Sequence, residues 1–230
     1  ELAKKCEIVG SELIREYLQG TDVIVVQKQG GFSKAERQQV IADSQRLMNT
    51  EVIEESSTKI TLQHFRTEDV PIKQLVQRMY FLTHSMLTDL QQTKTRTVYE
   101  SIIERDMTVG KFYLNIISHL RSFLMGRQIS KEFTLIELQY IRLLIERIER
   151  IGDDVKRLAS EGIKGKKVPI AELAFLQKQY EQAFKAYWEK DITIARGFWD
   201  NEERDRQRFA SNVNLLRLYD NIKDIADLVI

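Results

Sequence analysis

The fold is decided by residues 141–160, whose sequence is IRLLIERIERIGDDVKRLAS. Its apolar residues form two columns with a spacing of seven residues: Ile141, Ile148 and Val155 in one, and Leu144, Ile151 and Leu158 in the other. Two columns with this spacing make one continuous apolar stripe on an α-helix, which is typical of a helix packed in a bundle. We predict such a helix from Thr134 to Ser160.

A second copy of this helix lies near the end of the chain. Arg150–Ala159 (RIGDDVKRLA) aligns with Arg217–Ala226 (RLYDNIKDIA), and Arg, Asp, Lys and Ala recur at the same places with apolar residues between them. Such a match indicates an internal repeat. Two helical segments precede each copy. In the first repeat, one starts at Pro71 and the other covers about residues 97–125. In the second repeat, one starts at Pro169 and the other covers about residues 191–207. We therefore predict a mainly α fold of two tandem three-helix bundles.

The first 65 residues differ in character, because helical and strand-like segments alternate. A helix is expected over about residues 2–19 and a strand over 22–26, and Ser33 with Glu36 forms a capping box that opens a second helix. Two short β-runs, 51–54 and 59–62, then flank a turn as in a hairpin. The pattern predicts a small α-β-α-β-β domain.

The predicted domain boundaries follow from these segments and from one linker. Residues 161–169 combine two glycines, three lysines and a proline, which is typical of a connection between helical units. We predict three parts: a small α+β domain over 1–66, a first three-helix repeat over 67–162 and a second over 163–230.

The composition narrows the classes of function. Lys plus Arg number 35 against 34 acidic residues, so the net charge of +1 gives the chain no overall attraction to nucleic acid or anionic membrane. The sequence has no apolar run of about 18 residues that would cross a bilayer, and we expect a cytoplasmic protein. Motifs for nucleotide-binding loops, zinc proteases and serine hydrolases are missing. We therefore predict that the chain is not an enzyme.

Carboxylates on the helices are the remaining candidates for chemistry. Glu149 and Asp153 are four residues apart, so they share one helix face and could present oxygen atoms to a cation. The alternative is a surface of ion pairs, in which Glu146 pairs with Arg150 and Asp153 pairs with Arg157. Aspartates also crowd the end of the last helix, where the helix dipole disfavours negative charge: Asp220, Asp224 and Asp227.

Glu149-Arg150-Ile151-Gly152-Asp153 resembles the E-R-I-G-D signature in the third helix of the PhoU family of phosphate-uptake regulators, and Asp224-Ile225-Ala226-Asp227 is similar to its ending. The segment that ends at Asp106 resembles the acidic start of the family's second helix. The resemblance implies a cytoplasmic homodimer or larger oligomer of two three-helix repeats. It also implies negative regulation of phosphate uptake, through contact with a phosphate transporter and a sensor kinase in bacteria, or at DNA in the archaeal branch.

The same resemblance implies a metal site, because some PhoU proteins bind iron or other metals through an E(D)xxxD motif. Glu149 and Asp153 match this motif, and Asp220 and Asp224 can match it in the second repeat, with Asp106 as a further acid. We expect these residues to accept iron, zinc, manganese or magnesium. Arg157 and Gly110 depart from the pattern, and Arg157 would add a positive charge beside the site.

The front end resembles one branch of the family. Segments like 14–24 and 46–55 connect an AbrB-like DNA-binding domain to the PhoU part in archaeal regulators, and we expect that such a domain precedes this chain, which starts at Glu1. Two alternative functions stay open. One is a carboxylate-bundle metal-binding protein or metalloenzyme, and the other is a DNA-binding transcriptional regulator.

Aromatic residues concentrate in the second repeat and predict self-association. Seven lie within 25 residues: Phe175, Tyr180, Phe184, Tyr187, Trp188, Phe198 and Trp199. We expect part of this cluster to form a homo-oligomer interface, since aromatic residues are enriched at interfaces. The alternative is that all seven belong to the core.

We predict weak binding of the chain to nonspecific duplex DNA at physiological salt, because a net charge of +1 releases few counterions. An electrophoretic gel-shift titration at several salt concentrations measures this. Tight, salt-sensitive binding would contradict the prediction and would favour the transcriptional-regulator alternative.

Overall fold

The computed structural model describes residues 3–5, 10–65, 70–92, 95–126 and 133–229. The strands are β1 (Ala3–Lys5), β2 (Val23–Gln27), β3 (Thr50–Glu55) and β4 (Lys59–His64). The helices are α1 (Gly10–Leu18), α2 (Lys34–Ser44), α3 (Ile72–Gln92), α4 (Arg96–Leu124), α5 (Leu135–Ile163), α6 (Ile170–Glu189), α7 (Ile192–Phe209) and α8 (Val213–Ala226). The chain forms two units, Glu1–Leu75 with Gly110–Thr134, and Val76–Val109 with Leu135–Ile230. The division into three domains by sequence stays a prediction.

The first unit contains a small sheet with the strand order β1-β2-β4-β3. Strands β2, β4 and β3 are antiparallel neighbours, whereas β1 pairs with β2 in parallel. Two helix residues, Leu13 of α1 and Val40 of α2, pack on the apolar face of the sheet. The buried strand residues of this core are Ile24, Val26, Ile60 and Leu62.

The predicted helix over residues 2–19 is wrong at its start. Helix α1 begins at Gly10, and Ala3–Lys5 forms strand β1 instead. The strand arises from its pairing with Val25–Gln27 across the sheet. A run of three residues has no usable periodicity, so only a partner distant in sequence decides its conformation.

The other signals in this unit are confirmed. The Ser33 side chain accepts the Glu36 backbone N–H, and the Glu36 carboxylate accepts the Ser33 N–H in return, so the capping box is complete. Strands β3 and β4 form the expected hairpin, with Glu51 opposite Gln63. Gly20, just after α1, has a φ of +74°, which glycine adopts without steric cost.

Helices α3 to α8 confirm a mainly α fold. The two columns of α5 are buried, from Ile141 at 6% exposure to Val155 at 0%. In ranges 70–92, 95–126 and 133–229, the structure contains no strand and no helix that is long and apolar enough to span a membrane. The helix bounds lie within a few residues of the predicted ones, because the apolar spacing and the glycine and proline breaks are local signals.

Helices α3 and α6 pack antiparallel within the second unit. The Tyr80 ring stacks on Phe184 with centroids 3.7 Å apart, Thr83 Oγ1 lies 2.8 Å from Tyr180 Oη, and Gln177 donates to Thr88 at 2.7 Å. Residue numbers therefore rise along α3 as they fall along α6. The first helices of the two repeats thus pack against each other through aromatic and polar groups.

The aromatic cluster of the second repeat lies largely inside the bundle. Tyr180, Phe184 and Phe198 are buried, and Trp199 is 39% exposed. The remaining three are half-buried: Phe175, Tyr187 and Trp188. Most of these side chains thus belong to the core, as the alternative interpretation predicted, because α3 and α8 cover them. Self-association itself stays a prediction.

We predict that Gly162→Ala lowers the free energy of unfolding by about 1–2 kcal/mol, measured by urea denaturation. A Cβ at Gly162 would lie 2.6 Å from Cζ of the buried Tyr99 ring, and this overlap outweighs the gain of about 1 kcal/mol in helix propensity. Gly197→Ala in α7 is the matched control, because nothing lies within 4 Å of its added Cβ. It should leave stability unchanged or raise it, and equal effects of the two variants would contradict the prediction.

Candidate functional site

Three of the predicted site residues form a first acidic cluster, which we define as Asp106 of α4 with Glu149 and Asp153 of α5. The ammonium of Lys156 joins two of them, lying 2.6 Å from Asp106 Oδ2 and 2.5 Å from Asp153 Oδ1. Helices α4 and α5 are therefore connected by an ion pair in which one lysine serves two carboxylates.

The side chains of this cluster lie close enough to shift one another's pKa. Burial raises the pKa of Glu149, and the nearby charges of Asp153 and Asp106 raise it further. Burial likewise raises the pKa of Asp106, and Lys156 opposes that rise. Burial by itself would lower the pKa of Lys156, but its hydrogen bonds to Asp106 and Asp153 raise it above the usual value. The cluster thus has excess negative charge beside one lysine.

The other two predicted residues, Asp220 and Asp224 of α8, belong to a second acidic cluster with Asp227 and with Glu202 of α7. Lys223 Nζ lies 2.7 Å from Asp227 Oδ2 and 3.2 Å from Glu202 Oε2. The indole N–H of Trp199 also donates to Asp227, at 2.9 Å. Helices α7 and α8 are therefore connected as α4 and α5 are, by one lysine between two acids.

Arginines from neighbouring helices neutralise the aspartates of α8 that the helix dipole disfavours. Arg206 of α7 lies 3.3 Å from Asp220, and Arg147 of α5 lies 3.2 Å from Asp224. Together with Lys223, they offset an arrangement that a lone helix would disfavour. Sequence reasoning missed these two arginines, because the helices they come from meet α8 only in the folded protein.

One predicted ion pair is correct and one is wrong. Arg150 lies 2.6 Å from Glu146, as the i,i+4 spacing predicts. Arg157 does not pair with Asp153, because it lies 2.7 Å from Asp154 instead. The reason is burial: Asp154 has no exposed side-chain surface and requires a cation, whereas Asp153 is 41% exposed and already has Lys156.

Asp154 is the important charged residue that sequence reasoning missed. Its carboxylate accepts Arg157 at 2.7 Å and Asn221 at 3.0 Å, and Arg217 lies 3.4 Å away. Asp154 and Asn221 occupy the same position in the aligned repeats, so equivalent residues of the two third helices contact each other. With Arg147 and Asp224 also in contact, α5 and α8 run antiparallel, as expected beside a two-fold axis that relates the repeats. The sequence offered one signal for this contact, because Asp154 and Asn221 are both polar and occupy the same position in the aligned repeats.

The two acidic clusters, as their side chains are arranged, do not fit a metal ion. Within the described residues, no group of three or more His, Cys, Asp or Glu side chains is arranged to hold one. A hard cation contacts carboxylate oxygens at about 2.0–2.6 Å, and the ammonium of Lys156 already lies at 2.5 and 2.6 Å from two of them. The metal set of Glu149, Asp153, Asp220, Asp224 and Asp106 stays a prediction, and it requires Lys156 to move.

An exposed apolar surface lies at one end of the second unit, and we call it the end patch. It comprises Leu135 and Ile136 at the start of α5 and Ile192 at the start of α7, which are 67%, 69% and 48% exposed. The ion pair of Glu137 with Lys190, at 3.5 Å, brings these helix starts together. Clustered exposed apolar side chains of this kind mark contact surfaces for other proteins.

The comparisons with known proteins add information on the fold. No protein-family model matches the sequence, and no curated protein matches it. The crystal structure of PhoU from Pseudomonas aeruginosa is similar, with a TM-score of 0.55 and 17% sequence identity over 69% of this chain and 93% of that chain. This similarity shows a PhoU-like fold. It confirms the predicted architecture of tandem helical bundles, and the archaeal branch and the AbrB-like domain are unsupported by it.

We predict that Asp154→Ala lowers the free energy of unfolding by about 3 kcal/mol, since it removes a buried carboxylate with three partners from two helices. The neighbouring Asp153→Ala is the matched control, and it should cost less than about 1 kcal/mol because Asp153 is exposed. Urea denaturation of both variants measures the difference. Similar losses would contradict a special role of Asp154.

Proposed function

We propose that this chain is a PhoU-like regulator of phosphate uptake and phosphate signalling that acts through protein contacts and without catalysis. The observation that carries the proposal is the similarity of its fold to PhoU from Pseudomonas aeruginosa. The antiparallel contact of α5 with α8 through Asp154 and Asn221 also supports it, because it gives the two repeats the internal symmetry that the resemblance implies.

The proposal includes the kind of partner. Most carboxylates of the two acidic clusters already pair with lysines or arginines of the chain itself, which leaves few of them free to bind a charged substrate. The end patch, in contrast, exposes Leu135, Ile136 and Ile192 without apolar cover. We assign it to contact with a protein of phosphate uptake or sensing, either a phosphate transporter subunit or a sensor kinase, in the cytoplasm. A homo-oligomer is part of the proposal.

The proposal also assigns DNA contact to a place outside this chain. With 35 basic and 34 acidic residues, the chain itself has little electrostatic attraction to duplex DNA. In an archaeal PhoU-like protein, an AbrB-like domain ahead of residue 1 would bind DNA, and the helical bundles would contact the proteins of phosphate uptake. Transcriptional regulation then depends on that domain and not on the helical bundles.

We predict that deletion of the gene raises phosphate uptake in phosphate-rich medium, because a negative regulator is lost. Uptake of radiolabelled phosphate by the deletion strain, with and without a plasmid copy of the gene, measures this. Unchanged uptake in the deletion strain would contradict the proposed function.

The surface is tested with two charge substitutions in the plasmid copy. Ile136→Asp places a charge in the end patch and should fail to restore normal uptake. Val213→Asp is the matched control, because Val213 is equally exposed, at 66% against 69%, but begins α8, whose antiparallel packing places it near the far end of α5. Equal complementation by both variants would exclude the end patch as the contact surface.

A further inference from the structure

We infer that two tethered lysine ammonium groups, those of Lys156 and Lys223, take the place of metal ions in the two acidic clusters of this chain. Each one connects the second helix of its repeat to the third. The inference goes beyond the proposed function and does not depend on it, because it concerns what holds the helices together and not which protein they contact.

The geometry at Lys156 carries the first step. Its ammonium lies 2.6 Å from Asp106 Oδ2 and 2.5 Å from Asp153 Oδ1, which is the distance at which a hard cation would contact the same oxygens. A metal ion at this place would meet the positive charge of the ammonium at contact distance. The cluster can therefore hold the lysine or a metal ion, but not both.

The second repeat provides an independent instance at matched positions. Lys156 and Lys223 align with each other in the repeat, and each reaches an acid on the preceding helix, Asp106 in α4 and Glu202 in α7. These two acids stand equally far from the starts of their helices, Arg96 and Ile192. The lysine and the acid on the preceding helix thus recur at equivalent positions, whereas the acid on the lysine's own helix differs, since Asp153 precedes Lys156 and Asp227 follows Lys223. An accidental ion pair between two helices has no reason to recur in this way.

Burial explains why each cluster needs an ion pair between its helices, and the buried partner is an acid in the first cluster and the lysine in the second. The side chain of Asp106 is only 16% exposed, so its charge has lost most of its water and is costly without a partner. In the second cluster, Lys223 is only 17% exposed. The indole N–H of Trp199 donates to Oδ1 of its partner Asp227, and Lys223 contacts Oδ2 of the same carboxylate. Lys166 is different, because it is 64% exposed and pairs with a single acid, Glu161.

The test uses Lys156→Met and Lys223→Met, with Lys166→Met as the matched control, in the full chain. Methionine keeps much of the length and removes the charge. We expect the melting temperature to fall by about 2–4 °C for each of the first two variants and to stay within about 1 °C for the control. We also expect added Mn²⁺, Mg²⁺, Zn²⁺ or Fe²⁺ to leave the melting temperature of the unsubstituted protein unchanged.

For Lys156→Met, unlike the unsubstituted protein, we expect added Mn²⁺ to raise the melting temperature. The reason is that Asp106, Glu149 and Asp153 no longer have the lysine beside them and can accept a cation. Adding Asp153→Asn to that variant should abolish the rise. The inference is overturned if the unsubstituted protein carries metal by elemental analysis or is stabilised by it, or if Lys156→Met and Lys223→Met melt like the Lys166→Met control. If one variant does not fold, the other is compared with the control in the same way.

Discussion

The fold depends on how the carboxylate of Asp154 is buried between α5 and α8. A charge without exposed surface costs several kcal/mol unless cations and hydrogen-bond donors surround it. Arg157 on the same helix and Asn221 on the other repeat donate hydrogen bonds to it, and Arg217 of the other repeat forms an ion pair with it. The apolar columns of the two helices could pack together in several registers. The contacts of Asp154 with Asn221 and Arg217 form in only one register. The buried charge therefore determines the register in which the two repeats meet.

The same requirement for a partner of opposite charge organises the two acidic clusters. Three of these acids receive a cation from a neighbouring helix: Asp106 from Lys156, Asp224 from Arg147 and Asp220 from Arg206. Negative charge that would disfavour a lone helix thereby contributes to the contact between helices.

The small sheet of the first unit depends on a different interaction. Its apolar face is covered by α1 and α2, with Leu13 and Val40 packed on the central strands β2 and β4. Helix α4 contributes Asn115, whose side-chain oxygen accepts the hydroxyl of the buried Tyr17 at 3.3 Å. Burial raises the pKa of Tyr17 well above its usual range, so this hydroxyl stays protonated and remains a donor.

The sequence by itself determined the helices α2 to α8, the β3–β4 hairpin and the presence of two similar helical repeats. It did so because apolar spacing, caps and breakers act between residues a few positions apart. It also named five acids as candidate metal ligands, which stays a prediction: Asp106, Glu149, Asp153, Asp220 and Asp224. Strand β1 escaped prediction, because its conformation depends on pairing with β2 across the sheet.

The spacing along α5 was sufficient to predict the pair of Glu146 with Arg150, but only the tertiary structure decided which cations pair with Asp153 and Asp154. On the helix alone, Asp153 and Arg157 have the favourable spacing, yet Arg157 turns to the buried Asp154 and Lys156 takes Asp153 together with Asp106. Burial and the distance between helices decide these choices, and both are properties of the packed chain. The energy of a charge depends on its distance to other charges and on its burial, and the order of residues along one helix determines neither of them.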